Sequence, residues 1–254
     1  MHELLTLDRV TAGYGAGAVV LEDVSIGFSS TTSCALLGRN GVGKTTLLAT
    51  VMGLTELGHG RIVFEGRDIS KLDVHLRSLS GIALVPQERE IFASLSVQDN
   101  LAVAVQPKGK WTVDAAYELF PRLAERRRNY GNQLSGGEQQ MLAIARALVS
   151  NPKILLLDEP FEGLAPVIIE QLADALNRVR RAGDLTIVLV EHHVELAFSL
   201  TDSSIVLDRG RVAWAGTNDE LRSNPSKLAS LLGFEAETAS KRVSVITNQG
   251  GRAR

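Results

Sequence analysis

The chain has 254 residues, 44% hydrophobic and 22% charged, which is enough apolar material for one large domain or two modest ones and argues against disorder over most of its length. A formal charge of −2 gives no overall basic field to hold a nucleic-acid backbone, and the single cysteine, Cys34, has no partner for an internal disulfide. The N-terminal MHELLTLDRV carries charge where a secretory leader needs an apolar run, and no segment approaches the length of a membrane span, so a reducing cytoplasm is the expected place.

In chain order, short β-rich pieces come first. Residues 4–10 and 24–28, with 61–64 after the first helix, predict a small N-terminal antiparallel β layer. Apolar runs at 33–37, 82–85, 154–157, 186–190 and 204–207, most followed by glycine or charge, predict strands of a sheet covered on both faces. Helical patterns at 45–52, 139–149 and 168–181 lie between several of them, so the fold class is α/β with a mostly parallel core sheet. No buried strand is evident between Gln87 and Leu148, where 99–105 and 114–123 read as helical, and a helical subdomain is expected over about 88–150. The folded domain is expected over 1–237, and the polar, aromatic-poor stretch 238–254 reads as a flexible tail.

Gly38-Arg39-Asn40-Gly41-Val42-Gly43-Lys44-Thr45 fits the phosphate-loop pattern G-x-x-x-x-G-K-[ST], with an apolar strand before it and the helix-like TTLLATVM after it. Backbone N–H groups of such a loop, Thr46 included, point at phosphate, Lys44 neutralises β/γ charge, and the Thr45 hydroxyl suits Mg²⁺. The run Ile154-Leu-Leu-Leu-Asp158-Glu159 ends a buried strand in two acids. Asp158 is the candidate for the same metal, and Glu159, one position on, for the base that polarises an attacking water. Gln87 follows another strand and Pro86, where an uncharged amide suits Mg²⁺ or water; His192 lies just past a fourth. No Cys/His spacing suggests zinc, no Ser-His-acid set is visible, and no N-K-x-D segment reads guanine.

The stretch Leu134-Ser-Gly-Gly-Glu-Gln139 opens a helix oddly. Ser135 and Glu138 make a capping box, yet Gly136 and Gly137 between them weaken the first turn by as much as about 1 kcal/mol each against alanine. Bare backbone at the positive end of a helix suits contact with an anion.

These features, in this order, resemble the ATP-binding subunits of ABC transporters over nearly the whole chain to about Gly233. The specific part is LSGGEQ followed by ILLLDE, which resembles the ABC signature and its partner strand. The resemblance implies a P-loop NTPase of ABC type that binds ATP and Mg²⁺. It implies a nucleotide-dependent homo- or heterodimer with another ABC ATPase subunit, in which Ser135, Gly136 and Gly137 of one chain cover the phosphate bound by the other. It further implies Tyr14 as the residue that stacks on adenine, Gln87 as the glutamine-loop residue, Glu159 as catalytic base and His192 as switch histidine. One departure stands out: Ala165 occupies a position where many members carry aspartate, and Glu162 is the nearby acid. YELFPRLAERR and EGLAP resemble the second ATPase subunit of branched-chain amino acid importers, while VPQEREIF also resembles urea and amide importers. Transmembrane permease subunits are then direct partners, a substrate-binding protein is an indirect one, and the chain is peripheral on the inner face of the membrane. An ABC-type ATPase acting on nucleic acid or ribosome is the reading from another class; it lacks support in the charge balance, and no nucleic-acid partner is expected.

Overall fold

The computed structural model describes residues 3–15, 17–106 and 109–233; the expected tail at 238–254 lies outside them. The elements run β1 (Glu3–Tyr14), β2 (Ala18–Ser29), β3 (Ser33–Leu37), α1 (Lys44–Met52), β4 (Glu56–Phe64), β5 (Arg67–Asp68), α2 (Val74–Leu79) and β6 (Ile82–Val85). Helices α3 (Val97–Ala102), α4 (Val113–Leu119), α5 (Pro121–Glu125) and α6 (Gly136–Val149) follow, then β7 (Ile154–Asp158), α7 (Pro166–Arg181), β8 (Thr186–Val190) and α8 (Val194–Leu200). The described part closes with β9 (Ser203–Asp208), β10 (Arg211–Thr217), α9 (Asn218–Arg222) and α10 (Pro225–Leu232).

Two sheets form. One is antiparallel with order β2-β1-β4-β5; the other has order β10-β9-β3-β8-β7-β6. In the second, β9, β3, β8, β7 and β6 are parallel and only β10 pairs antiparallel, on the edge. Strands β3, β7 and β8 are buried at every residue, which is why they read as unbroken apolar runs instead of alternating ones. Their side chains still divide by face. Ile154 and Leu156 join Leu36, Val188 and α1 in a core closed by the antiparallel sheet, through Leu5, Leu7 and Leu21. Leu155 and Leu157 pack on the other side with Leu142 of α6, Leu172 of α7 and Leu101 of α3. A third cluster holds α8 and α10 against Ala35, Leu37 and Val206. Each such buried leucine or valine stabilises the fold by about 1.5–3 kcal/mol.

The expected helix at 114–123 is broken. Pro121 disfavours helical backbone at the residue before it, and Phe120 leaves the helical region (φ −126°, ψ 78°), ending α4 where α5 begins. Strands β1 and β2 extend well past the expected 4–10 and 24–28.

The consequence for function lies in the strand order. Because β3, β8, β7 and β6 are parallel neighbours, the segments after Leu37, Val190, Asp158 and Val85 all emerge at one edge of the sheet, where α/β folds bind ligands.

Candidate active site

At that edge the loop after β3 turns on three glycines with left-handed backbone, Gly38 (φ 142°), Gly41 (φ 78°) and Gly43 (φ 108°). Gly43 caps α1 while lying against the hairpin. A Cβ there would come within 2.9 Å of Leu21. Lys44, the first residue of α1, is buried, and its Nζ donates to the carbonyls of Gly38 (2.9 Å) and Arg39 (3.0 Å), so the ammonium is held inside its own loop. Burial lowers its pKa, opposed by the charges of Glu159, Asp158 and Glu191.

Asp158 ends β7 and is buried; the Thr45 hydroxyl donates to its Oδ1 at 3.2 Å. Burial raises its pKa, Thr45 opposes this, and Glu159 adds repulsion that outranks the attraction of Lys44. Glu159 has left-handed backbone (φ 46°), uncommon for a residue with a side chain, and its N–H donates to the Val190 carbonyl at 3.1 Å. Its Oε1 accepts from His192 Nε2 at 2.7 Å. His192 is set in turn by Glu191, a buried carboxylate that accepts the N–H groups of His192 (2.7 Å) and His193 (2.9 Å). Gln87 lines the same cleft as this pair, and its Nε2 donates to Glu162.

Asn40, Gly41, Gly43, Lys44, Thr45, Thr46, Gln87, Glu159 and His192 therefore line one cleft of about 320 Å³, together with Val20 and Glu162; Asp158 is reached through Thr45. Gly38 and Val42 are buried supports of the loop, and Arg39 points the other way, toward Gly233. Tyr14, at the tip of the β1–β2 hairpin, is 46% exposed and does not line the cleft. Neither do Ser135, Gly136 and Gly137, which open α6 elsewhere.

At α6 the capping box is formed. Ser135 Oγ accepts from Glu138 N–H (3.3 Å), and Glu138 Oε2 accepts from Ser135 N–H (2.8 Å). Burial alone would raise the Glu138 carboxyl pKa, but the Ser135 bonds and the Arg126 guanidinium more than offset it and hold it low. The two glycines differ. Gly136 is half-buried beside the Arg89 guanidinium, whereas Gly137 is buried and a Cβ on it would come within 2.7 Å of Ile168. Packing against α7 inside the same chain is thus one reason for Gly137, and sequence reasoning missed it.

Four further residues were not assigned a role from the sequence: Val20, Glu162, Glu191 and Asn100. Val20 carries no motif, and Glu162 was noted only as the acid near Ala165, with no link to Gln87. Glu191 had a usable signal, being an acid directly after a buried strand, as Asp158 and Glu159 are. Asn100, fully buried, accepts from Phe92 N–H (2.9 Å) and donates to the Phe92, Leu95 and Ser96 carbonyls, pinning the loop that follows Gln87.

A phosphate loop after β3 at a parallel sheet edge, an acid pair at the end of β7, a glutamine after β6, a histidine after β8 and an antiparallel β layer define an ATP-hydrolysing ATP-binding cassette. The sequence pattern described as ABC transporter matches residues 21–162, and the chain belongs to that family. It is 41% identical to the high-affinity branched-chain amino acid transport ATP-binding protein BraG of Pseudomonas aeruginosa, over 91% of this chain and 100% of that one. It is 38% identical to the probable branched-chain amino acid transport ATP-binding protein LivF of Archaeoglobus fulgidus (86% and 94% covered). It is also 34% identical to the lipopolysaccharide export system ATP-binding protein LptB of Haemophilus influenzae (87% and 93%). Among solved structures, CbiO1 of Clostridium perfringens, part of the ABC transporter complex CbiONQ, superimposes with a TM-score of 0.75 at 26% identity, over 91% of this chain and 95% of that one. No helix among the described residues is long and apolar enough to cross a membrane.

Proposed function

We propose that the chain is the ATPase subunit of an importer for branched-chain amino acids, held at the cytoplasmic face of the membrane by transmembrane permease subunits that a substrate-binding protein serves. The observation that carries this reading is the 41% identity to BraG across that protein's entire length. Against an exporter such as the one LptB serves stands the lower identity, 34%, to LptB itself.

The donor set suits Mg·ATP. Asp158 is a buried carboxylate with a hydroxyl beside it, and Lys44 is a buried ammonium bonded only to main-chain carbonyls. Among the described residues no cluster of three or more His, Cys, Asp and Glu is placed to cage a metal. Thr45, Asp158 and Gln87 are the sparse oxygen set that Mg²⁺ accepts when phosphate completes its shell. When bound, Mg²⁺ neutralises and draws together phosphate oxygens. In this reading Lys44 and the loop N–H groups of residues 39–46 hold the β- and γ-phosphates. Glu159 takes a proton from the attacking water, and His192 holds that carboxylate in place. Tyr14 stacks on adenine from the hairpin tip. Ser135, Gly136 and Gly137 act on nucleotide in the opposing subunit, whether a second copy or a similar ABC ATPase, which accords with their lying outside the chain's own cleft.

The test is to co-purify the chain with neighbouring permease and binding-protein subunits and measure ATP hydrolysis in vesicles. Leucine, isoleucine or valine should stimulate it. Stimulation by urea or short amides alone would move the substrate to that second class of importer, and no stimulation by either, with salt-sensitive nucleic-acid binding instead, would overturn the transport reading.

A further inference from the structure

Beside the Glu159–His192 pair, a second carboxylate lines the cleft. Glu162 sits in the turn between β7 and α7, where its N–H donates to the Glu159 carbonyl at 3.2 Å, and its Oε2 accepts from the Gln87 amide in the loop leaving β6. Among the described residues no Lys, Arg or His forms an ion pair with it. The other candidate for an acid in this turn, position 165, is alanine, and it opens α7 without a side-chain cap. Among the described residues, the turn's one side-chain hydrogen bond to the loop at Gln87 is therefore made by the Glu162 carboxylate.

The chemistry of that tie is directional. A carboxylate only accepts hydrogen bonds, so the end of the Gln87 amide that faces Glu162 is the NH₂. The end left over is Oε1, and oxygen is what a hard cation takes. We infer that Glu162 is a positioning residue, gripping Gln87 by its nitrogen so that its oxygen is offered to the metal side of the cleft. This rests on the proposed reading of Gln87 as a Mg²⁺ ligand. Without Glu162 the amide has two orientations, and one of them points donors at the cation.

The test titrates Mg²⁺ into the full chain with a fluorescent, non-hydrolysable ATP analogue and reads the Mg²⁺ concentration for half-maximal binding, beside the analogue's affinity without metal. Glu162→Ala should raise the Mg²⁺ midpoint about fivefold, a hydrogen bond's worth, and leave metal-free affinity unchanged. Glu162→Gln should restore the midpoint to within about twofold, because its amide oxygen accepts the same N–H. Gln87→Ala should also raise the midpoint, and adding Glu162→Ala to it should change nothing more. If Gln87→Ala moves the midpoint and Glu162→Ala does not, the inference falls and the reading of Gln87 stands. If neither moves it, both fall. Should Glu162→Gln be as weak as Glu162→Ala, charge and not orientation is at work; should metal-free binding drop as well, Glu162 merely supports the fold. Either result overturns the inference.

Discussion

Arg77 is the residue whose removal the structure prices most clearly. It lies on α2, only 3% exposed, and its guanidinium donates to four main-chain carbonyls: Leu72 (2.9 Å), Ser70 (2.9 Å), Thr50 (2.9 Å) and Val51 (2.8 Å). The last two belong to the final turn of α1, where helix carbonyls lack intrahelical donors and a cation complements the dipole. Of the four, only Thr50 has another donor among the described residues, the Gly53 N–H. Arg77→Met keeps the bulk and removes the bonds. Three carbonyls losing their donor at about 1 kcal/mol each, net of the burial cost of the guanidinium, come to about 3 kcal/mol. At about 2–4 °C per kcal/mol for a domain of this size, the melting temperature should fall by about 6–12 °C in a calorimetric or fluorescence scan. Because α1 begins at Lys44 and Thr45, ATP affinity should weaken in the same variant. A fall below about 2 °C would refute the idea that this arginine anchors the phosphate-loop helix.

The other expectations follow from the site. Asp158 has its pKa raised by burial, so the folded protein holds that proton more tightly than the unfolded chain. Its contribution favours folding at low pH and is lost as pH rises through the raised value. Asp158→Asn should therefore melt at a higher temperature than wild type near pH 7.5 without nucleotide, the advantage shrinking toward acid pH, and should lose the stabilisation that Mg·ATP provides. Glu138 shifts the other way, so the capping box stabilises above the ordinary carboxylate range and fades as pH falls through the lowered value; Glu138→Ala should lose about 1 kcal/mol at pH 7 in urea unfolding. Gly137→Ala should cost about 1–3 kcal/mol through its clash with Ile168, and Ile168→Ala should recover part of that stability; a Gly137→Ala variant as stable as wild type would remove the packing reason for this glycine.

Legibility in the sequence followed burial. Strands β3, β7 and β8 are enclosed on both faces, so their runs stood out together with the glycine loop, acids and histidine that follow them. The antiparallel layer was seen only in fragments. Strands β1, β2 and β4 expose one face and carry register shifts near Val10 and Ala12, and Gly13, Gly58 and Gly60 interrupt the pattern where backbones pass closely. Arg77 was illegible because a lone arginine in a short helix reads as solvated, and its partners on α1 lie 26 and 27 residues away. The packing reason for Gly137 was illegible for a related reason: Ile168, the side chain that leaves no room for a Cβ there, belongs to another helix. Glu162 has no neighbour in sequence that announces Gln87, which is 75 residues away.

The central claim is that hydrolysis takes place at the cleft where His192 holds the Glu159 carboxylate. Single-turnover hydrolysis of Mg·ATP by Glu159→Gln, with nucleotide affinity measured on the same preparation, tests it most directly. Affinity should be retained while the rate falls by about 10²–10⁴-fold. Wild-type turnover in that variant would contradict the account.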